Sequence, residues 1–99
     1  MPDNVSFRTF TVTLASSVAQ LVVNQDMNRS YLAIQNTGVG GPMSAGFGAA
    51  PSAAGTGPTL DPASAAGGQG GSWEWIDVVP TNSVYLYSAA GTTAVVIVG

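Results

Sequence analysis

Glu74 and Asp77 are the closest-spaced pair among five carboxylates, the others being Asp3, Asp26 and Asp61. Any acid/base chemistry would have to start with them, as it does with the paired carboxylates that flank the scissile bond in glycosidases. Three positions apart on an extended strand, however, they point to opposite faces and cannot share a substrate. There is no His, no Cys and no Lys to help, and the two cations are Arg8 and Arg29. Catalytic triads, thiol nucleophiles and zinc sites are thereby excluded. The chain is expected to be no enzyme and to hold no cofactor or metal.

The remaining chemistry-bearing patterns each have a duller account. Asp26-Met27-Asn28 sets oxygen atoms at alternate positions as a calcium loop does, but lacks the glycine and the distal glutamate, so it reads as a capped turn. Residues 67–71, Gly-Gly-Gln-Gly-Gly, have the flexibility of a phosphate cradle without its lysine or following helix. They read as a hinge or linker. Asn4-Val5-Ser6 and Asn28-Arg29-Ser30 match the glycosylation sequon by chance, no secretion signal being evident. Trp73 and Trp75 share a strand face and suit either a core or subunit interface, or a platform for a sugar. Arg29 either pairs with Asp26 or Asp77, or reaches another subunit.

Composition sets the class of partner. Of 99 residues 7% are charged and 45% are hydrophobic, with a net charge of -3. An ordinary soluble domain carries about 25% charged residues, so this surface is nearly neutral and suits a permanent assembly more than a dispersed monomer. Without a basic patch, neither nucleic acid nor an anionic membrane is an expected partner. The longest purely apolar run, 94–98, is far shorter than the ~20 residues of a membrane helix. Synthesis in a cytoplasm is the expectation.

The elements that must position these residues are strands. Residues 6–14 alternate Phe10, Val12 and Leu14 with Thr9, Thr11 and Thr13, the period-two pattern of a half-buried strand. Further strands are expected at 18–23, 30–36, 72–79, 83–89 and 92–98, with 43–48 as a short hairpin partner of 30–36 and the last two forming an antiparallel hairpin. Residues 38–72, rich in Gly, Ala, Pro and Ser, carry one charge, Asp61, and read as a loop-rich insertion. A single all-β domain over 1–99 follows, an antiparallel sandwich or jelly roll of about seven or eight strands with an N-terminal arm at 1–6.

The run Arg29-Ser30-Tyr31-Leu32-Ala33-Ile34-Gln35-Asn36, then Gly46-Phe47-Gly48, then Val79-Pro80-Thr81 and Ala89-Ala90-Gly91-Thr92-Thr93, resembles small virion proteins of tailed bacteriophages, above all head decoration (cement) proteins. The resemblance implies a jelly roll or sandwich that sits on the capsid exterior, binds the major capsid protein lattice and forms a homodimer or homotrimer. On that reading the partner or subunit interface draws on Phe7, Arg8, Arg29, Trp73, Trp75, Tyr85 and Tyr87, on the arm at 2–7 and on the Gly-rich segment, whose deletion over 49–71 should leave a folded domain. The alternative is a tail, fibre or spike component that stacks a host glycan on Trp73, Trp75, Tyr85 and Tyr87.

Overall fold

The computed structural model describes residues 7–51, 58–65, 68–76 and 78–99, and among them every regular element is a strand. In chain order these are β1 (Arg8–Leu14), β2 (Gln20–Val23), β3 (Leu32–Asn36), β4 (Met43–Phe47), β5 (Thr59–Leu60), β6 (Ser72–Trp75), β7 (Val84–Tyr87) and β8 (Thr92–Val98). They form two four-stranded antiparallel sheets, β1-β8-β3-β6 and β2-β7-β4-β5. Most of the 2–7 arm, the sequon at Asn4 and the side chain of Asp77 lie outside the described residues.

The pairing is nested. The first strand pairs with the last, β2 with β7, β3 with β6 and β4 with β5, as if one long hairpin with its tip between β4 and β5 had been folded over itself. Successive pairs fall in alternate sheets. The alternation read in the sequence sets which side of each strand meets the other sheet. Leu32, Ile34, Asn36, Val84, Leu86, Ala94, Val96 and Val98 are buried, whereas their neighbours along each strand are half-exposed. Met43, Ala45 and Leu60 complete the layer, and Phe10, Val12, Phe47 and Trp75 pack at its margins.

Two expected pairings are replaced. β7 and β8 form no hairpin: they lie in opposite sheets, each turning its aliphatic side to the same core. Between β1 and β3, β8 gains ladder bonds on both edges. The chain crosses between sheets through Ala89, Ala90 and Gly91, the last at φ 81°, where a side chain would be strained. Likewise β4 pairs with β5 and β7 rather than with β3.

The insertion is also tighter than its composition suggests. Leu60 and Ala63 belong to the core, Pro51 is buried, and β5 adds a fourth strand to its sheet. Gly70 and Gly71 are neither hinge nor linker. Gly70 donates its amide to the Asn36 carbonyl and Gly71 to the Asp61 carbonyl, and a Cβ on Gly70 would stand 2.2 Å from the Asn36 oxygen. Removing 49–71 therefore strips core and sheet together, and the shortened chain is not expected to fold.

Asn36 is the fastener. Its side-chain amide donates to the carbonyls of Gly41 (3.0 Å) and Leu60 (3.1 Å), while its Oδ1 accepts from the Gly38 amide (3.2 Å) and the Thr92 hydroxyl (2.8 Å). Its own backbone N–H and C=O are taken by Gly71 and Gly70. A wholly buried polar residue is tolerable because its groups are satisfied this way. One residue thus ties the β3–β4 connection, the insertion and the start of β8 together.

Candidate interaction surfaces

Antiparallel nesting brings the start of β1, the ends of β8 and β4, the β2–β3 connection and the described parts of the β6–β7 connection to one end of the sandwich. The β2–β3 connection turns tightly there. Asp26 Oδ1 accepts from the Asn28 amide at 2.9 Å and its carbonyl accepts from Arg29 N–H, the capped turn expected in place of a calcium loop. Arg29 then reaches inward, at 6% exposure. Its Nη1 donates to the carbonyls of Pro80 (2.6 Å) and Asn82 (3.1 Å), and its Nη2 to that of Asn24 (2.7 Å). Asp26 N–H bonds the Thr81 carbonyl beside them.

Arg29 is therefore a clamp between the β2–β3 and β6–β7 loops, and its hydrogen bonds among the described residues go to backbone carbonyls. Burial lowers its pKa below the ordinary guanidinium value, partly offset by the Asp26 charge. A guanidinium whose forked donors meet three backbone carbonyls tolerates that burial as an ammonium would not. What the clamp holds in place is apolar and open to solvent: Met27 on one loop is 71% exposed, and Ile76 and Val78 on the other are 61% and 85% exposed.

The aromatic candidates separate. Trp73 and Trp75 pair with Ile34 and Leu32, so they lie on the core side of the edge strand β6. There the Trp75 ring meets Phe47 edge-on at 5.3 Å, and Trp73 stacks on Trp75 at 5.7 Å. Tyr85 and Tyr87 pair with Gly46 and Ser44 and face outward from the other sheet. The four rings thus make no common stacking surface, the two tryptophans stacking on one another at one sheet and the two tyrosines facing outward from the other.

The outward face of the β1-β8-β3-β6 sheet is the flattest candidate. Thr9, Thr11 and Thr13 lie beside Ile97, Val95 and Thr93, and these beside Ala33 and Gln35. A shallow groove of about 240 Å³ runs over Ala33, Val95 and Ile97 to Ser72 and Glu74. At one corner Phe7 packs edge-on against Tyr31 at 5.1 Å, and the Tyr31 hydroxyl donates to Glu74 Oε2. That bond is the main reason the Tyr31 pKa is raised from 10.0.

A second cleft, of about 360 Å³, opens between β1 and β2 and is lined by Arg8, Phe10, Val22, Asn24, Asp26 and Arg29 among others. Arg8 stands at its rim with its guanidinium 5.9 Å from the Phe10 ring centre. Phe7 and Arg8 are thus exposed as an interface would require, Trp73 is partly so, and Trp75, Tyr85 and Tyr87 are half-buried. Sequence reasoning missed Met27, Ile76 and Val78. Met27 stands alone among turn formers, and the strand expected over 72–79 absorbs Ile76 and Val78, although β6 ends at Trp75.

Comparison with protein-family models, with curated proteins and with solved structures finds no match for this chain. The segments around Arg29–Asn36, Pro80 and Thr92 have a structural account of their own. Arg29 is bonded to Pro80 and Asn82, and Asn36 to Thr92, while Thr37 N–H reaches the Thr93 carbonyl. These segments thus meet in two internal fasteners, one at each end of the sandwich, in which Gly46-Phe47-Gly48 takes no part.

Proposed function

We propose that this chain is a structural virion protein that decorates a phage capsid, docking on the major capsid protein through the end of the sandwich that carries Met27, Ile76 and Val78. The observation that carries the reading is the solvent-exposed apolar tip on two loops clamped by a buried arginine. Exposed apolar groups that are held rigid lose little entropy on docking and mark interaction sites. The nested strand order, which we read as a jelly roll, and the charge-poor composition support the same account.

A protein that binds the assembled shell but not its loose subunits stabilises the shell by mass action, and many copies multiply the effect. Shape and apolar contact must supply most of the affinity, since only 7% of the chain's residues are charged. Adding the purified protein to undecorated shells tests this. The Met27→Glu/Val78→Asp variant should keep its melting temperature and lose at least tenfold in shell occupancy. Equal occupancy by the variant and the parent would remove the loop tip from the account.

A further inference from the structure

Each of the two sheets exposes two edges, and three of the four are blunted. The β2 edge carries a register shift between Leu21 and Val23, so its ladder is bulged. The β5 edge is two residues long between Pro58 and Pro62, and the β6 edge has four residues and bears Glu74. Short strands, bulges, prolines and charges are the devices by which sheets avoid pairing with one another.

β1 has none of them along its length. It is seven residues long, pairs with β8 in unbroken register from Arg8↔Val98 to Leu14↔Thr92, and has no proline. Its one charge stands at its first position. On its other side no described strand is its neighbour. The residue types from 9 to 13 are also symmetric about Thr11, with threonines at 9 and 13 and apolar residues at 10 and 12, while the end positions Arg8 and Leu14 differ.

The geometry points to β1 as a strand-pairing interface for a second copy of this chain, antiparallel about a two-fold axis at Thr11. In that register Thr9 faces Thr13 of the other copy, Phe10 faces Val12, and the two arginines lie at opposite ends. Threonine pairs and aromatic with β-branched pairs are favourable cross-strand neighbours. Centring elsewhere on the strand leaves residues unpaired, and a one-residue slip sets the core-side Phe10 against an outward threonine. Pairing would join two four-stranded sheets into one of eight and cover the half-exposed Phe10 and Val12. The inference is independent of shell docking, which uses the loop tip at the end of the sandwich.

With no native cysteine, cross-linking is a clean test. Paired residues in an antiparallel ladder have Cα atoms about 4.5–5.5 Å apart, within reach of a disulfide. Under mild oxidation Thr11→Cys should form a covalent homodimer at least tenfold faster than Thr13→Cys alone, and a mixture of Thr9→Cys with Thr13→Cys should form the heterodimer. Sedimentation velocity of the unmodified chain should show a monomer–dimer equilibrium whose dissociation constant rises at least tenfold in Thr11→Lys. Thr11 is exposed, so that variant should keep its β-sheet circular dichroism. Equal cross-linking rates for Thr11→Cys and Thr13→Cys, or a dimer indifferent to Thr11→Lys, would overturn the interface. Shell occupancy is read separately, so either proposal can fail alone.

Discussion

Replacing Asn36 tests the idea that one buried amide holds three segments together. In Asn36→Ala three partners are left without the bond they make to it, the carbonyls of Gly41 and Leu60 and the Thr92 hydroxyl, while the Gly38 amide keeps its second acceptor, the Thr93 carbonyl. An abandoned buried polar group costs about 1–3 kcal/mol, so three at the lower figure come to roughly 3 kcal/mol. Against a total of about 5–15 kcal/mol for a domain, that is a large fraction. Asn36→Asp is the sharper probe, because it keeps the two acceptor contacts and sets an oxygen against two carbonyls at 3.0 and 3.1 Å. The carboxyl is then pushed to remain protonated, with a folded-state pKa above its unfolded value. Its stability is fully present below about pH 4 and is lost as pH rises, at about 1.4 kcal/mol per pH unit until the folded pKa is passed. Urea unfolding of this variant at pH 4 and pH 7 should therefore differ by about 4 kcal/mol relative to the parent if the folded pKa reaches 7. An Asn36→Ala variant within 1 kcal/mol of the parent, or an Asn36→Asp variant with no excess pH dependence, would refute the fastener.

Three further outcomes are expected. Arg29→Lys should cost about 3 kcal/mol in chemical denaturation, because a single ammonium cannot span the carbonyls of Asn24, Pro80 and Asn82. Ser88→Ala should leave stability unchanged or raise it by about 1 kcal/mol in thermal unfolding, since the buried Ser88 hydroxyl has no hydrogen-bond partner among the described residues. Spectrophotometric titration should find one tyrosine ionising above the ordinary value near 10, and Glu74→Gln should bring it down, because Tyr31 donates to that carboxylate. The raised pKa favours the neutral phenol in the fold, so its contribution is present below pH 10 and fades as pH climbs through the folded value.

Period-two alternation made β1 and β3 legible, because a strand between core and solvent must write its burial into every second residue, whereas β8 was legible as an apolar β-forming run after the Ala90-Gly91 turn. Sheet membership was not legible. Val84 and Leu86 of β7 and Val96 and Val98 of β8 read the same whether the strands are neighbours or face each other across the core. The insertion misled because composition counts large apolar residues, whereas Leu60, Ala63 and the close approach of Gly70 to Asn36 bind it through small volumes and backbone bonds. Arg29 misled for a related reason. A search for its partner among acidic residues cannot find backbone carbonyls, which every position supplies. Ile76 and Val78 were hidden differently: they alternate as a strand does, yet β6 stops at Trp75 and leaves them on the loop that the Arg29 clamp holds.

The position of β8 between β1 and β3 has a consequence for how the molecule comes into being. Until Thr92–Val98 has left the ribosome, β1 has no neighbour among the described strands and β3 has β6 alone. Contacts between the most distant parts of a chain form slowly and leave sticky intermediates behind. A nascent chain of this kind waits for its final strand with the threonine-rich ribbon bare along both sides. Crowding of many copies on one messenger would make that interval the moment of greatest risk of misassembly.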